Sequence, residues 1–205
     1  MLIIIFAVWF AVFMERRREH HHEQKEVKEF LTGLRTDLVN DIREMKEDRF
    51  GYVILGKGFS YFSGSYRFHP DSVNKNSANI GHSIHLLVNS GRYEGFKTSG
   101  KINLIGNTQL RNSILDLYQE TLVGLTNSTK FYNEIKQQFF SLLFKGLIWE
   151  KELSDTNFSR LIQGVELRNY CKQLRYTGEV IRRYDSAIYQ SQRIIELVNQ
   201  EYGKE

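Results

Sequence analysis

Apolar positions divide the chain into stretches with different periodicities. Residues 1–14, MLIIIFAVWFAVFM, carry no charged or strongly polar side chain, and the boundary at Glu15, Arg16, Arg17, Arg18 and Glu19 is abrupt. At ~1.5 Å per residue a helix of this length is roughly 21 Å long, against a hydrocarbon core of about 30 Å. Nine of the fourteen are Leu, Ile, Phe or Val. At about −0.3 to −0.6 kcal/mol each they favour lipid by roughly 4 kcal/mol. The pattern predicts a membrane anchor, a transmembrane helix at the short limit of span, whose reach snorkelling arginines extend. A cleaved signal peptide would want a basic start and a small-residue cleavage site, and a core helix would want one polar face. A third competing reading has the chain starting late within a longer apolar segment.

Across residues 15–49, 19 of 35 side chains are charged, nine basic and ten acidic, and the apolar ones fall at Val27, Leu31, Leu34, Leu38, Ile42 and Met45. Steps of three and four make a narrow helical stripe, so this region reads as a charged stalk and first long helix laying one seam on a partner. Residues 50–106 read as an aromatic and glycine-rich insert with short helices. Phe50, Tyr52, Phe59, Tyr61, Phe62, Tyr66 and Phe68 stand among Gly51, Gly56, Gly58 and Gly64, which leaves helix and loop both open. Residues 71–79 read as a surface loop opened by Pro70, followed by a short amphipathic helix with Ile80, Ile84 and Leu87 on one side, closed by Asn89-Ser90-Gly91. A short turn over residues 92–99 ends at Gly100, before an extended apolar run with Ile102, Leu104 and Ile105.

Asn107 offers an N-cap to a second long helix over residues 107–150, with apolar positions at Leu110, Ile114, Leu117, Leu125, Tyr132, Ile135, Phe139 and Leu142. In the C-terminal stretch, residues 151–205, the most regular seam alternates steps of three and four through Leu167, Tyr170, Leu174, Thr177, Ile181, Tyr184, Ile188, Ser191, Ile195, Val198 and Tyr202. This is coiled-coil-like packing with weak points at Thr177, beside Gly178, and at Ser191. The predicted fold is all-α: an N-terminal transmembrane helix continuing into a bundle of long antiparallel helices with a short irregular helical insert.

Composition sharpens this picture. A single proline, against a usual frequency of about 5%, favours uninterrupted helices. A lone cysteine, Cys171, excludes an internal disulfide and a zinc site built from several thiolates of one chain. The formal charge of +4 is small and well mixed, and the basic residues of the last helix (Arg168, Lys172, Arg175, Arg182, Arg183) alternate with Glu166, Glu179 and Asp185. A solvated face is the reading that follows, with no nucleic-acid partner.

Candidate chemistry is sparse. Gly95 to Gly100-Lys101 is one residue from a phosphate-binding loop, but Ile102 stands where a metal-holding Ser or Thr belongs. His82 and His85 have the i, i+3 spacing of half a zinc site, with only Glu94 nearby as a further acid. Histidines 20–22 stand among Glu19, Glu23 and Glu26, where a solvated stalk explains them without a metal. An Arg-x4-His pattern found in one class of helical ribonucleases occurs at Arg16/His21 and Arg17/His22, in the charged run and away from any shielded pocket that would tune a base. No catalytic, cofactor-binding or metal residue is assigned, and no cofactor is expected.

The segments ERRREHHHEQKEVKEFLTGLRTDLVNDI, GFKTSGKINLIGNTQLRNSILDLYQE and LRNYCKQLRYTGEVIRRYD resemble an uncharacterised bacterial family catalogued as domain of unknown function 6090. The resemblance implies a single-pass membrane protein with a helical extramembrane domain, and no activity. The function expected is a membrane-tethered interaction or scaffold module, with lipid engaged through residues 1–14 and a protein partner or second copy on the bundle. A small-ligand-sensing bundle with its pocket near residues 50–68 is the alternative, and a membrane-bound ribonuclease or toxin a third reading. Five basic residues, Arg16, Arg17, Arg18, Lys25 and Lys28, follow the apolar run, which predicts a cytoplasmic bundle. Members of the resembling family usually carry a basic segment and a longer apolar run upstream of the equivalent point, and such a segment would place the bundle on the exported side.

Overall fold

The computed structural model describes residues 2–64, 67–150 and 156–203. The described residues form eight α-helices, one short 3-10 turn and one π-turn, without strands. They are α1 (Leu2–Gly64), α2 (Pro70–Gly81), α3 (Gly91–Thr98), α4 (Thr108–Asp116), α5 (Leu122–Gly146), α6 (Phe158–Gln163), α7 (Val165–Leu174) and α8 (Gly178–Tyr202). The all-helical, bundle-like expectation holds. Met1 of the expected anchor, Tyr66 and residues 151–155 of the C-terminal stretch lie outside the described residues.

The transmembrane helix needs correction. No helix among the described residues is long and apolar enough to cross a membrane. Within α1 the apolar stretch gives way directly to Glu15, Arg16, Arg17, Arg18 and Glu19.

The chain divides into two compact units, one of residues 1–41, 88–118 and 190–205, the other of residues 42–87 and 119–189. In the first, the α1 stripe Val27, Leu31, Leu34 and Leu38 is buried, as its spacing predicts, together with Tyr93, Ile105, Leu110, Ile114 and Ile194. Phe30 of α1 stacks on Phe96 of α3 at 3.9 Å, and Tyr93 stacks on Tyr118 at 4.2 Å. Polar links surround these rings: Arg92 to Asp37 at 2.7 Å, and Arg35 of α1 to Asn199 of α8 at 3.2 Å. The stripe's partner helices therefore belong to the same chain.

In the second unit Tyr52, Leu55, Phe59 and Phe62 continue the α1 stripe in steps of three and four, and all are buried. Residues 50–64 thus belong to the first long helix, not to the insert. Gly51 and Gly58, seven apart on that helix, are where other parts of the chain come close: a Cβ on Gly51 would lie 2.8 Å from Ile84, and one on Gly58 2.8 Å from Ile80 and 3.2 Å from the Asn76 carbonyl. Tyr52 meets Tyr132 edge-on and Phe59 meets Phe139 edge-on, so α5 runs parallel to this half of α1. Contacts of Arg49 with Asp185, and of Gly56 with Thr177, make α8 antiparallel to it. The all-antiparallel expectation is corrected here. The long connection from Gly64 to Leu122 lets the chain return to its starting end before α5 begins.

Smaller differences follow from local chemistry. Residues 71–79, expected as a loop, are helical in α2: Pro70 occupies the first turn, where its missing N–H costs nothing, and Val73 and Ile80 seven apart are buried. The helix expected through Leu87 ends at Gly81, and residues 82–90 carry no regular structure. The Asn107 cap is present, its side chain accepting from the Leu110 N–H at 3.0 Å. The second long helix is interrupted by the π-turn Leu117–Thr121; beyond it Leu125, Tyr132 and Phe139 are buried as expected, while Lys136 and Leu143 take inner positions in place of their half-exposed neighbours Ile135 and Leu142. The final seam breaks between Leu174 and Gly178, at the predicted weak point, and beyond it Val180 and Ile194 are buried while Ile181 and Ile195 are half-exposed. Tyr170 and Tyr202 are also half-exposed, and Cys171 takes the inner position beside Tyr170.

Candidate functional site

The start of α1 stands apart from every other helix. Each side chain from residue 6 to residue 22 is exposed, and the first buried position is Val27. Phe6 is 66% exposed, Trp9 60% and Phe10 51%, with Trp9 stacked on Phe13 at 5.7 Å and tilted against Phe6 at 6.2 Å. The helix forms here because nothing in the run breaks it and large side chains three and four apart support one another. Such a surface requires a cover, since each large apolar side chain gains about 1.5–3 kcal/mol on leaving water. Arg16, Arg17 and Arg18 form an exposed basic collar directly after it. Farther along, His22 pairs with Glu26 at 3.8 Å and Lys25 with Glu29 at 3.8 Å, the i, i+4 contacts of a solvated helix.

The residues with candidate chemistry resolve into structural roles. Lys101 of the phosphate-loop-like segment donates to Glu26 at 2.7 Å, a contact that holds the Glu26 carboxyl below its ordinary range. Gly100 adopts φ +75°, the left-handed stop after α3 that glycine permits without strain, so this segment ends a helix. His82 and His85 lie in the segment after α2 that carries no regular structure, not on one face of a helix. The described residues bring together no group of three or more potential metal ligands. Arg17 and His21 share a depression of about 610 Å³ with Ala11, Met14, Glu15 and Arg18, all on α1, so no second element shields them.

Two buried groups escaped sequence reasoning. The first is the cluster of Tyr52, Tyr132 and Tyr184. Tyr184 donates to Asp48 at 3.1 Å and Tyr132 to the Leu174 carbonyl at 2.8 Å, while the Tyr52 hydroxyl is buried without a partner. Burial pushes all three phenols up, and it raises Asp48 too, against the lowering effect of the Tyr184 hydrogen bond. These phenols stay protonated and act as packing and hydrogen-bonding groups. The second is Lys136, on the inner row of α5 and 8% exposed. It shares a row with the buried Thr129, Tyr132, Phe139 and Leu143, but its apolar neighbour Ile135 fits the spacing equally well. Cys171 is fully buried in the core of its unit, and burial pushes its thiol up to about 12, so it is not poised as a nucleophile.

Of the aromatic residues over 50–68, Tyr52, Phe59 and Phe62 are at most 1% exposed and packed on Tyr132, Phe139 and Phe158. Comparison with family models, with curated proteins and with solved structures gives no match to this chain.

Proposed function

We propose that this chain is a membrane-attached interaction module, held to a lipid surface by the start of α1 and free of catalytic duty. The observation that carries the reading is the all-round exposure of residues 6–14, whose large apolar and aromatic side chains find no cover among the described residues. In this reading the segment inserts into the headgroup and upper acyl region, where Trp9 and the phenylalanines fit an interfacial environment. Arg16, Arg17 and Arg18 then meet acidic headgroups, each adding about 1 kcal/mol near such a surface. Acidic lipid marks the cytoplasmic leaflet, which favours attachment from that side. Beyond the collar, the exposed stalk to Glu26 spaces the folded units from the lipid and leaves their surfaces free for a protein partner or a second copy.

Vesicle flotation tests it. The full chain should rise with vesicles containing acidic lipid, rise less with neutral vesicles, and stay behind when residues 2–14 are deleted. Full-length protein remaining in the dense fraction with both vesicle types would defeat the proposal.

A further inference from the structure

Lys136 is a buried cation without a counter-charge. Its ammonium donates to the carbonyl of His82 and lies 5.7 Å from the Phe140 ring centroid, and among the described residues it makes no ion pair. An ammonium carries three donors, and a cation taken out of water is costly unless a charge compensates it. Asn133 one turn earlier donates to the Ile84 carbonyl at 3.4 Å, so the irregular segment after α2 is tied to α5 by two side chains. Between that segment and α5 lies an open groove of about 1030 Å³, into which Lys136 faces. The other charged groups lining it are Lys130 and Glu134, which offset one another, and His85; the lining therefore carries one net positive charge with histidine neutral. From Lys136 the groove follows α5 past Phe140 to Phe144, which is 50% exposed, and eight residues of helix rise about 12 Å. Phe144 is stacked at a tilt on Phe140 and on the exposed Trp149, an aromatic wall that is uncovered among the described residues.

We propose that this groove binds a monoanionic amphiphile, a medium-chain carboxylate whose head pairs with Lys136 and whose chain lies along Phe140 and Phe144. One negative head matches the single uncompensated cation, and about 12 Å of apolar wall matches a chain of around ten carbons. Unbound, desolvation pulls the Lys136 ammonium down to about 8, and a carboxylate in contact reverses that pull. The site lies wholly within one compact unit and goes beyond the membrane attachment, on which it does not depend.

Titration calorimetry on the full chain with decanoate, decanol and decyltrimethylammonium, all below micelle formation, tests it. The apolar start of α1 is common to every variant, so differences between variants report the groove. Decanoate should bind with one saturable site, and Lys136→Met should weaken it about tenfold, the worth of a charge-assisted contact. Lys136→Arg should restore most of the affinity, and Phe144→Ala, at an exposed position, should weaken binding several-fold. Should Lys136→Met lose helical signal, the Phe144 variant and the ligand comparison on the unaltered chain decide. Equal binding of decanoate and decanol, stronger binding of the cationic amphiphile, or decanoate affinity unmoved by either substitution would overturn the proposal.

Discussion

The Tyr132 hydroxyl donates to the backbone carbonyl of Leu174 at 2.8 Å, inside the core and at the point where α7 ends. A helix leaves its last carbonyls without intrahelical partners, and here a side chain from α5 satisfies one of them. Tyr132→Phe keeps the ring and its edge-on contact with Tyr52 but orphans that carbonyl, so it should cost about 1–2 kcal/mol in urea unfolding. An unchanged midpoint would mean that the bond contributes nothing net.

The inner row of α8 runs through Val180, Tyr184, Ala187, Ser191, Ile194 and Val198. Val180→Ala should therefore cost about 2 kcal/mol, while Ile181→Ala, at a half-exposed position, should cost less than about 1 kcal/mol. Denaturant midpoints in the reverse order would restore the seam read from spacing alone.

Ser191 is fully buried and its hydroxyl has no hydrogen-bond partner. Removing the hydroxyl removes an unsatisfied polar group without changing the packing volume by more than one atom, so Ser191→Ala should raise stability by about 1 kcal/mol. A lower melting temperature for the variant would show that the hydroxyl is satisfied in solution.

Reading the chain against its structure separates what spacing can reveal from what it cannot. The stripe from Val27 to Met45 was legible because charged and polar side chains fill most of the positions between its members, and every member is buried. The continuation through Tyr52 and Phe62 was obscured by Gly51 and Gly58, which serve close approach, not a break in the helix. In α8 the ambiguity is one of neighbours: Val180-Ile181 and Ile194-Ile195 offer two apolar residues each, and only packing chooses between them. In α5 the choice is again between neighbours: spacing favours the apolar Ile135, and packing places Lys136 inside. A lysine on a long helix reads as solvated, so the groove it faces was invisible, whereas the exposed apolar start of α1 was the plainest feature of the sequence.

Lys136 also makes stability depend on pH. Its folded value, about 8, lies below the ordinary 10.5, so between those values the unfolded chain holds more protons than the folded one. Folding stability contributed by this group therefore rises with pH from about 8 toward 10.5, and below 8 the full penalty of the buried charge is present. The stability difference between the native chain and Lys136→Met should shift in favour of the native chain across pH 8–10, as followed by urea midpoints. A difference that stays constant over that range would mean that Lys130, Glu134, His82 and His85 around it, with solvent, hold the ammonium at its usual value.

Membrane attachment is tested most directly at Trp9. The chain has two tryptophans, Trp9 and the exposed Trp149, so Trp149→Phe leaves Trp9 as the sole reporter. With vesicles containing acidic lipid, Trp9 emission should move to shorter wavelength and be quenched by bromine placed on the upper acyl chain. Emission unchanged in wavelength and unquenched, at lipid concentrations that saturate any binding, would contradict the account.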